Sequence, residues 1–496
     1  MDSLEKHFSK YRNQIIGIDA EIETPFGDMK KIVYADWVAS GRCYEKIENK
    51  LKNEVMPYVS NTHTESSGTG KIMTQLYAEA KSIIKQHVNA GDSYAVISAG
   101  SGMTGVVCQF QRMLGLKIPE PFKASIPLKE EDKPIIFVSH MEHHSNQISW
   151  METIADVEII PVKKGLFSIK ALKRLLAKYK SRKVKIAVVT ACSNVTGEFL
   201  PYQKIAKLMH KQNGYCFVDF AACAPYVDID INPAQEGEYL DAIYYSAHKF
   251  LGGPGSTGIL IFKKALYKGT APDRPGGGTV DWTNCWGGYK YIDDIEVRED
   301  GGTPPFLQTI KAAMCHRLKE EMGVDNILQR EKALLAIMVK KLNKLEPLHI
   351  LGHNTVDRLG VISFYIDGLH YDLAVRMLND YFGIQARGGC SCAGTYGHYL
   401  LNIDKKQSKR ITDLIDNGDT SEKPGWVRLS LHPTMTEQEV RYIAKSIKKL
   451  VLNHKQWSKN YKKRDGENNF FFVKKQKKPL NGDSAKKYFE RMASAA

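Results

Sequence analysis

Lys249 stands in the run Ser246-Ala247-His248-Lys249-Phe250-Leu251-Gly252-Gly253-Pro254-Gly255, directly after the apolar stretch Ala242-Ile243-Tyr244-Tyr245. A lysine is rarely buried without a partner, and one held in a cleft titrates lower and becomes an amine able to attack an aldehyde. The plain alternative is a surface lysine that happens to close a strand. Asp219 ends another apolar run, Tyr215-Cys216-Phe217-Val218. A carboxylate there must reach solvent or meet a cation, and a protonated heterocycle would serve. Upstream lies the small-residue loop Ala99-Gly100-Ser101-Gly102-Met103-Thr104. Its backbone N–H groups and hydroxyl can hold a phosphate, although such residues also simply permit a tight bend.

A polar cluster, His140-Met141-Glu142-His143-His144, carries two adjacent imidazoles. The spacing is not His-Glu-x-x-His and no helix presents both rings on one face, so we expect no metal site. A ring stacked on a planar cofactor accounts for His143 equally well. Asn194, three residues before Gly197, fits either a plain turn or a side-chain amide pointed at a ligand.

What must position these groups is a set of strands. β-branched and aromatic runs at Tyr94–Ser98, Ile135–Ser139, Val157–Pro161, Lys185–Thr190, Tyr215–Asp219, Asp241–Ser246 and Ser256–Phe262 alternate with helical patterns at 71–88, 169–180 and 201–213. That alternation predicts an α/β fold, a doubly wound and mostly parallel sheet with helices on both faces. In such sheets ligands sit beyond the carboxyl ends of the strands, where every group named above falls. An aspartate for a pyridinium nitrogen, a lysine for an aldehyde and a small-residue loop for a phosphate together meet the three needs of pyridoxal phosphate.

From about residue 325 the pattern changes to a helix (326–345), a strand (358–366), a helix (371–380), strands near 384–387 and 426–431, and a final helix (435–452). We therefore divide the chain into an N-terminal segment (1–33), a large α/β domain (34–324), a smaller α+β domain (325–453) and a basic tail (454–496). The polar, lysine-rich stretch 399–424 reads as an insertion loop.

Composition bounds the function. Of 496 residues 43% are hydrophobic and 25% charged, as in a globular protein. No apolar run is long enough for a membrane span, and the start Met1-Asp2-Ser3-Leu4-Glu5-Lys6-His7 lacks the core of a secretion signal. The nine scattered cysteines predict free thiols in a reducing compartment, so we expect a cytoplasmic protein. The net charge is +15, of which +8 lies between His454 and Ala496. A solvated, partly helical extension explains that tail better than a nucleic-acid arm, leaving a basic nucleic-acid or scaffold binder as a remote alternative.

Four motifs, Glu142-His143-His144-Ser145-Asn146, Ser193-Asn194-Val195-Thr196-Gly197, Ser246-Ala247-His248-Lys249 and Asp300-Gly301-Gly302-Thr303-Pro304, resemble those of the class V aminotransferases among fold-type I pyridoxal phosphate enzymes. The likeness is greatest to cysteine desulfurases and selenocysteine lyases and runs from about residue 34 to 450. It implies that Lys249 carries the cofactor's aldehyde, Asp219 pairs with its ring nitrogen, His143 stacks on the ring and Asn194 lies close by. Ser101, Gly102, Ser246 and His248 would bind the phosphate. Thr303 would reach the other subunit's cofactor in a homodimer with shared sites. Arg428, aided by Arg387, would grip the carboxylate of an amino-acid substrate.

In Arg387-Gly388-Gly389-Cys390-Ser391-Cys392-Ala393, Cys392 aligns with the desulfurase cysteine that takes sulfur as a persulfide and passes it on, a resemblance that implies a sulfur acceptor such as a protein. Cys390 is the other candidate, and the pair also resembles the matching stretch of the molybdenum cofactor sulfurases. Two departures stand out: Ala222 replaces the usual glutamine near the cofactor's phenolic oxygen, and Cys390 and Ser391 replace paired histidines. They motivate the nearest alternative, in which the same cofactor serves transamination, epimerisation or another lyase step.

Overall fold

The computed structural model describes residues 3–123, 125–163, 165–353, 357–463 and 470–473. Seven runs form the central sheet: β1 (Tyr94–Ala99), β2 (Ile135–Val138), β3 (Asp156–Ile159), β4 (Lys185–Thr190), β5 (Tyr215–Asp219), β6 (Ala242–Ser246) and β7 (Gly258–Lys263). The order across the sheet is β1-β7-β6-β5-β4-β2-β3, and only β7 runs against its neighbours. The expected α/β architecture, mostly parallel and helix-covered on both faces, is therefore present.

Alternation along each strand splits its side chains between two cores. Val96, Phe137, Val189, Val218 and Tyr245 enter one, and Ile97, Ile136, Val188, Phe217 and Tyr244 the other. Helix α1 (Ser3–Arg12) belongs to the N-terminal segment. Helices α2 (Gly68–His87), α5 (Ile169–Lys178), α6 (Tyr202–His210) and α7 (Phe306–Met322) cover the first core. Helices α3 (Met103–Met113) and α4 (His144–Met151) cover the second. Each large side chain so buried contributes about 1.5–3 kcal/mol, which makes the sheet a stiff platform. Because β4, β5 and β6 are parallel, Thr190, Asp219 and Ser246 all arrive at one edge.

A second, antiparallel sheet has the order β8-β9-β11-β10, from β8 (Leu348–Ile350), β9 (Val361–Ile366), β10 (Arg387–Gly389) and β11 (Trp426–Ser430). Helices α8 (Val324–Leu342), α9 (Tyr371–Phe382) and α12 (Glu437–Trp457) accompany it. α1 docks on α8, with Glu5 paired to the buried Arg330 at 2.5 Å.

Three expectations need correction. The strand near 384–387 is two strands, because Ile384–Gln385 pairs in parallel with Val33–Tyr34 and only Arg387–Gly389 joins the second sheet. The stretch 399–424 is not a loop: it holds the end of α10 (Gly394–Leu400) and all of α11 (Lys405–Asp416). An Asp404/Gln407 capping box starts α11, whose apolar stripe of Ile411, Leu414 and Ile415 is only half-buried. The tail is not merely solvated and helical. After α12 the chain forms a hairpin of β12 (Tyr461–Lys463) and β13 (Phe470–Phe472), with Tyr461 and Phe472 buried. The lysine clusters beyond 473 lie outside the described residues. Among the described residues, no helix is long and apolar enough to cross a membrane.

Asp300, which opens the Asp300–Pro304 motif, is an anchor of this fold. Its carboxylate meets the buried Lys81 ammonium of α2 at 2.7 Å and accepts from the Tyr77 hydroxyl at 3.0 Å. Asp300→Ala strands that ammonium in the interior and is expected to lower stability by about 3–5 kcal/mol in urea unfolding. Adding Lys81→Met should recover much of the loss; no recovery would show that the pair does not set the cost.

Candidate active site

A cavity of about 730 Å³ opens where the strand ends meet the second sheet. Ser101, Gly102, His143, Asn194, Asp219, Ser246, His248, Lys249, Arg387, Cys392 and Arg428 all line it. Of the residues singled out from sequence, Thr303 alone lies elsewhere. It is exposed and lines an adjoining cavity of about 960 Å³, which shares Ser101 and His248 with the first.

Lys249 ends the short turn Ala247–Lys249 after β6. Burial lowers its pKa to about 8, against the pull of Asp219, and the positive charge of Arg428 lowers it further. Asp219 is itself raised to about 6 by burial, opposed by the Ala221 N–H and by Lys249. Among the described residues, the Ala221 N–H at 2.7 Å is the one hydrogen bond to the Asp219 carboxylate, and none reaches the Lys249 ammonium. Two ionisable groups thus stand desolvated with bonding capacity to spare.

The phosphate candidates surround a space kept open by a missing side chain. A Cβ on Gly102 would sit 3.0 Å from Ser246 Oγ and 3.6 Å from His248 Nε2, at the start of α3. Ser246 Oγ accepts the Met103 N–H at 2.8 Å, fixing the loop against β6. A Cβ on Gly258 would lie 2.3 Å from the Gly102 carbonyl, so only glycine lets β7 pass under this loop. Burial drives His248 down to about 4.

His143 caps α4, its Nδ1 accepting the Ser145 N–H at 3.1 Å. Burial, then the charges of Lys249, His144 and Arg428, push its pKa to about 3, so the ring is neutral with its proton on Nε2. Behind it Glu142, raised to about 8 by burial, accepts from Ser139 Oγ, Asn146 Nδ2 and the Thr190 N–H. Asn194 spans the two sheets. Its Nδ2 donates to the Ser391 carbonyl at 2.8 Å and its carbonyl accepts from Arg428 at 3.3 Å.

Arg387 and Arg428 are register partners in β10 and β11. Both pair with Asp36, at 2.9 Å each, leaving one net positive charge on the cavity wall. Sequence reading overlooked Asp36, although an aspartate inside the apolar run Tyr34-Ala35-Asp36-Trp37-Val38 demands a cation by the argument applied to Asp219. It also overlooked Asp372 and Lys423 on the outer wall.

Cys392 is exposed, whereas Cys390 is half-buried and packs on the core. Ser391 and Cys392 both hold positive φ, 52° and 55°. The loop is clamped in that form: the Cys392 carbonyl accepts the His144 N–H at 2.7 Å, the Gly394 N–H donates to His144 Nε2 at 2.8 Å, and Trp426 Nε1 reaches Ser391 Oγ at 3.2 Å.

This sheet, with its lysine after β6 and aspartate closing β5, defines a fold-type I pyridoxal phosphate enzyme. The chain belongs to the class V aminotransferase family, whose model matches residues 33–443. It is 27% identical over 368 residues to a probable cysteine desulfurase of Halalkalibacterium halodurans, covering 73% of this chain and 84% of that protein. A probable cysteine desulfurase of Staphylococcus epidermidis is 28% identical over 375 residues, with the same coverage. Among solved structures, the apo cysteine desulfurase of Thermococcus onnurineus matches with TM-score 0.71 at 21% identity, over 90% of this chain and 98% of that one. A cysteine desulfurase of Escherichia coli in an S-sulfonic acid form matches with TM-score 0.68 at 19% identity and the same coverage. These structures share the fold.

The lowered Lys249 fixes a pH profile. If Lys249 is the group that takes the cofactor, only its neutral amine can do so, and uptake by apoprotein, followed by visible absorbance, should level off above about pH 8 and fall about tenfold per unit below it. A rate that keeps climbing toward the ordinary lysine value of 10.5 would contradict the burial argument.

Proposed function

We propose that the protein is a homodimeric cysteine desulfurase, converting L-cysteine to L-alanine and taking the sulfur onto Cys392. The observation that carries this reading is an exposed thiol on the same cavity as the Lys249 amine and a guanidinium pair with one net charge to offer.

When bound, pyridoxal phosphate supplies an aldehyde for the amino group and an electron-withdrawing ring that stabilises negative charge at Cα. Asp219 would hold the ring nitrogen, His143 would lie against the ring beside Asn194, and Ser101, Gly102, Ser246 and His248 would hold the phosphate. Arg428 and Arg387 take the substrate carboxylate in their remaining donors. The Lys249 amine removes the Cα proton, for which a pKa near 8 suits it. Cys392, as thiolate, attacks the substrate sulfur. Cysteine and a thiol become alanine and a persulfide, so no outside oxidant is needed.

Thr303 fits the same reading. It lines the adjoining cavity, which shares Ser101 and His248 with the first, and in such a dimer it would serve the partner subunit's site. A reducing cytoplasm is the compartment in which such free thiols persist. Ala222, an apolar group on the cavity wall, favours transamination or another lyase step as the second reading.

Cys392→Ala should lower alanine release from L-cysteine about 100-fold or more while visible cofactor absorbance stays. Cys390→Ala should retain most of the rate. Alanine release unchanged in Cys392→Ala removes that thiol from the mechanism, and a keto acid as main product selects the second reading.

A further inference from the structure

Cys390 lines the same cavity as Cys392 and has no part in the chemistry up to alanine release. The two thiols stand at the first and third positions of one tight turn. The Ala393 N–H donates to the Cys390 carbonyl at 3.0 Å, closing Cys390-Ser391-Cys392-Ala393, and both central residues hold positive φ. That is a type I′ turn, whose central residues are ordinarily asparagine and glycine. Ser391 and Cys392 hold it against their own preference. The usual occasion for such a turn is a two-residue hairpin, whereas here a strand, β10, leads in and a helix, α10, leads out.

What the turn achieves is a short path between the thiols. A residue coiled as Ser391 is sets its neighbours' Cα atoms about 5.4 Å apart, the i, i+2 spacing of a helical turn of either hand. An extended residue would set them about 6.6 Å apart. A disulfide joins Cα atoms about 4.4–6.8 Å apart, most often about 5.5–6 Å, so the coiled form lies near the favoured spacing and the extended form at its limit. The turn is held coiled from three sides. The His144 N–H donates to the Cys392 carbonyl, Asn194 Nδ2 to the Ser391 carbonyl and Trp426 Nε1 to Ser391 Oγ. Strain that its surroundings maintain in this way concentrates at functional sites. Burial separates the two roles: Cys392 is exposed and meets an incoming sulfur first, while Cys390, half-buried against the core, stands behind it.

We propose that Cys390 is a resolving thiol, which frees the sulfur carried by Cys392 as hydrosulfide when no acceptor takes it. The Cys390 thiolate attacks Cys392 Sγ, and a Cys390–Cys392 disulfide forms. The bond from Cys392 Sγ to the outer sulfur breaks, and that sulfur leaves with the electron pair and its own proton as hydrosulfide. The outer sulfur is reduced while the two thiols are oxidised to the disulfide, so no outside oxidant enters. A dithiol reductant must then reopen the pair before the next turnover. The resolving step rests on the desulfurase reading; the closable thiol pair does not.

An aromatic disulfide, dithiobisnitrobenzoate, sets up the same attack without cofactor or turnover. Cys392 takes up a thionitrobenzoate group, which Cys390 should expel by attacking Cys392 Sγ. Non-reducing peptide mapping of the full-length protein should find Cys390 joined to Cys392, with label on Cys392 about tenfold or more below that on exposed Cys285, which has no neighbouring cysteine in the sequence. Cys390→Ser should raise the Cys392 label to the level of Cys285. Label that stays on Cys392 in the wild-type protein, or that settles on Cys390, overturns the pair. In turnover, protein freed of reductant and given one equivalent of L-cysteine should release hydrosulfide in step with alanine and end lighter by two hydrogen atoms. Cys390→Ser should instead keep the sulfur and end heavier by one sulfur atom. Equal hydrosulfide release from both proteins overturns the resolving role. Absence of alanine from L-cysteine, with the pair still closing under the reagent, rejects the desulfurase reading and the resolving step but upholds the thiol pair.

Discussion

Desolvation of Lys249 and Asp219 at the ends of two adjacent parallel strands is the constraint around which the site is arranged. Burial pushes both groups toward neutrality, the amine down and the carboxyl up, while their mutual attraction pushes back. The two requirements bound the depth of the cavity from both sides. A deeper site would protonate Asp219 near neutral pH and remove its negative charge. A shallower one would leave Lys249 an ordinary ammonium, slow to capture an aldehyde. Neutral His143 and His248 fit this balance, because further positive charge so close would favour the neutral amine still more.

The floor of the site belongs to the parallel sheet and its wall to the antiparallel one, so the two must be locked in register. Asn194 does this on the cavity side, bridging the Cys392 loop and Arg428. Gly197, three residues on, lets the sheets approach: its φ is 74° and a Cβ there would lie 2.6 Å from the Leu359 carbonyl. Asp36 then fixes both guanidinium groups from a segment that also pairs with Ser430 and Gln385. The Ser193–Gly197 motif is therefore a joint between the two sheets.

The central sheet was legible because its strands are apolar on both faces and close on chemistry-bearing residues, a pattern local enough to read along the chain. Lys249, Asp219 and the Gly100–Gly102 loop were legible for the same reason. Asp36 was not, since its importance comes from two arginines more than three hundred residues away. The α11 helix did carry signals, the Asp404 and Gln407 cap and the i, i+3, i+4 spacing of Ile411, Leu414 and Ile415, but they sit among lysines and polar residues that read as a loop. The hairpin was hidden by its setting, because Phe470-Phe471-Phe472 sits among lysines whose charge dominates any reading of composition.

Positive φ at two successive non-glycine residues costs on the order of 1–2 kcal/mol each, and Ser391 and Cys392 both adopt it. The surrounding hydrogen bonds, from the His144 and Gly394 N–H groups, Asn194 and Trp426, offset that cost only while the loop keeps this form. A loop so over-determined holds Cys392 facing the cavity instead of presenting it on a mobile arm. The thiol and the Lys249 amine are thereby held on one and the same cavity.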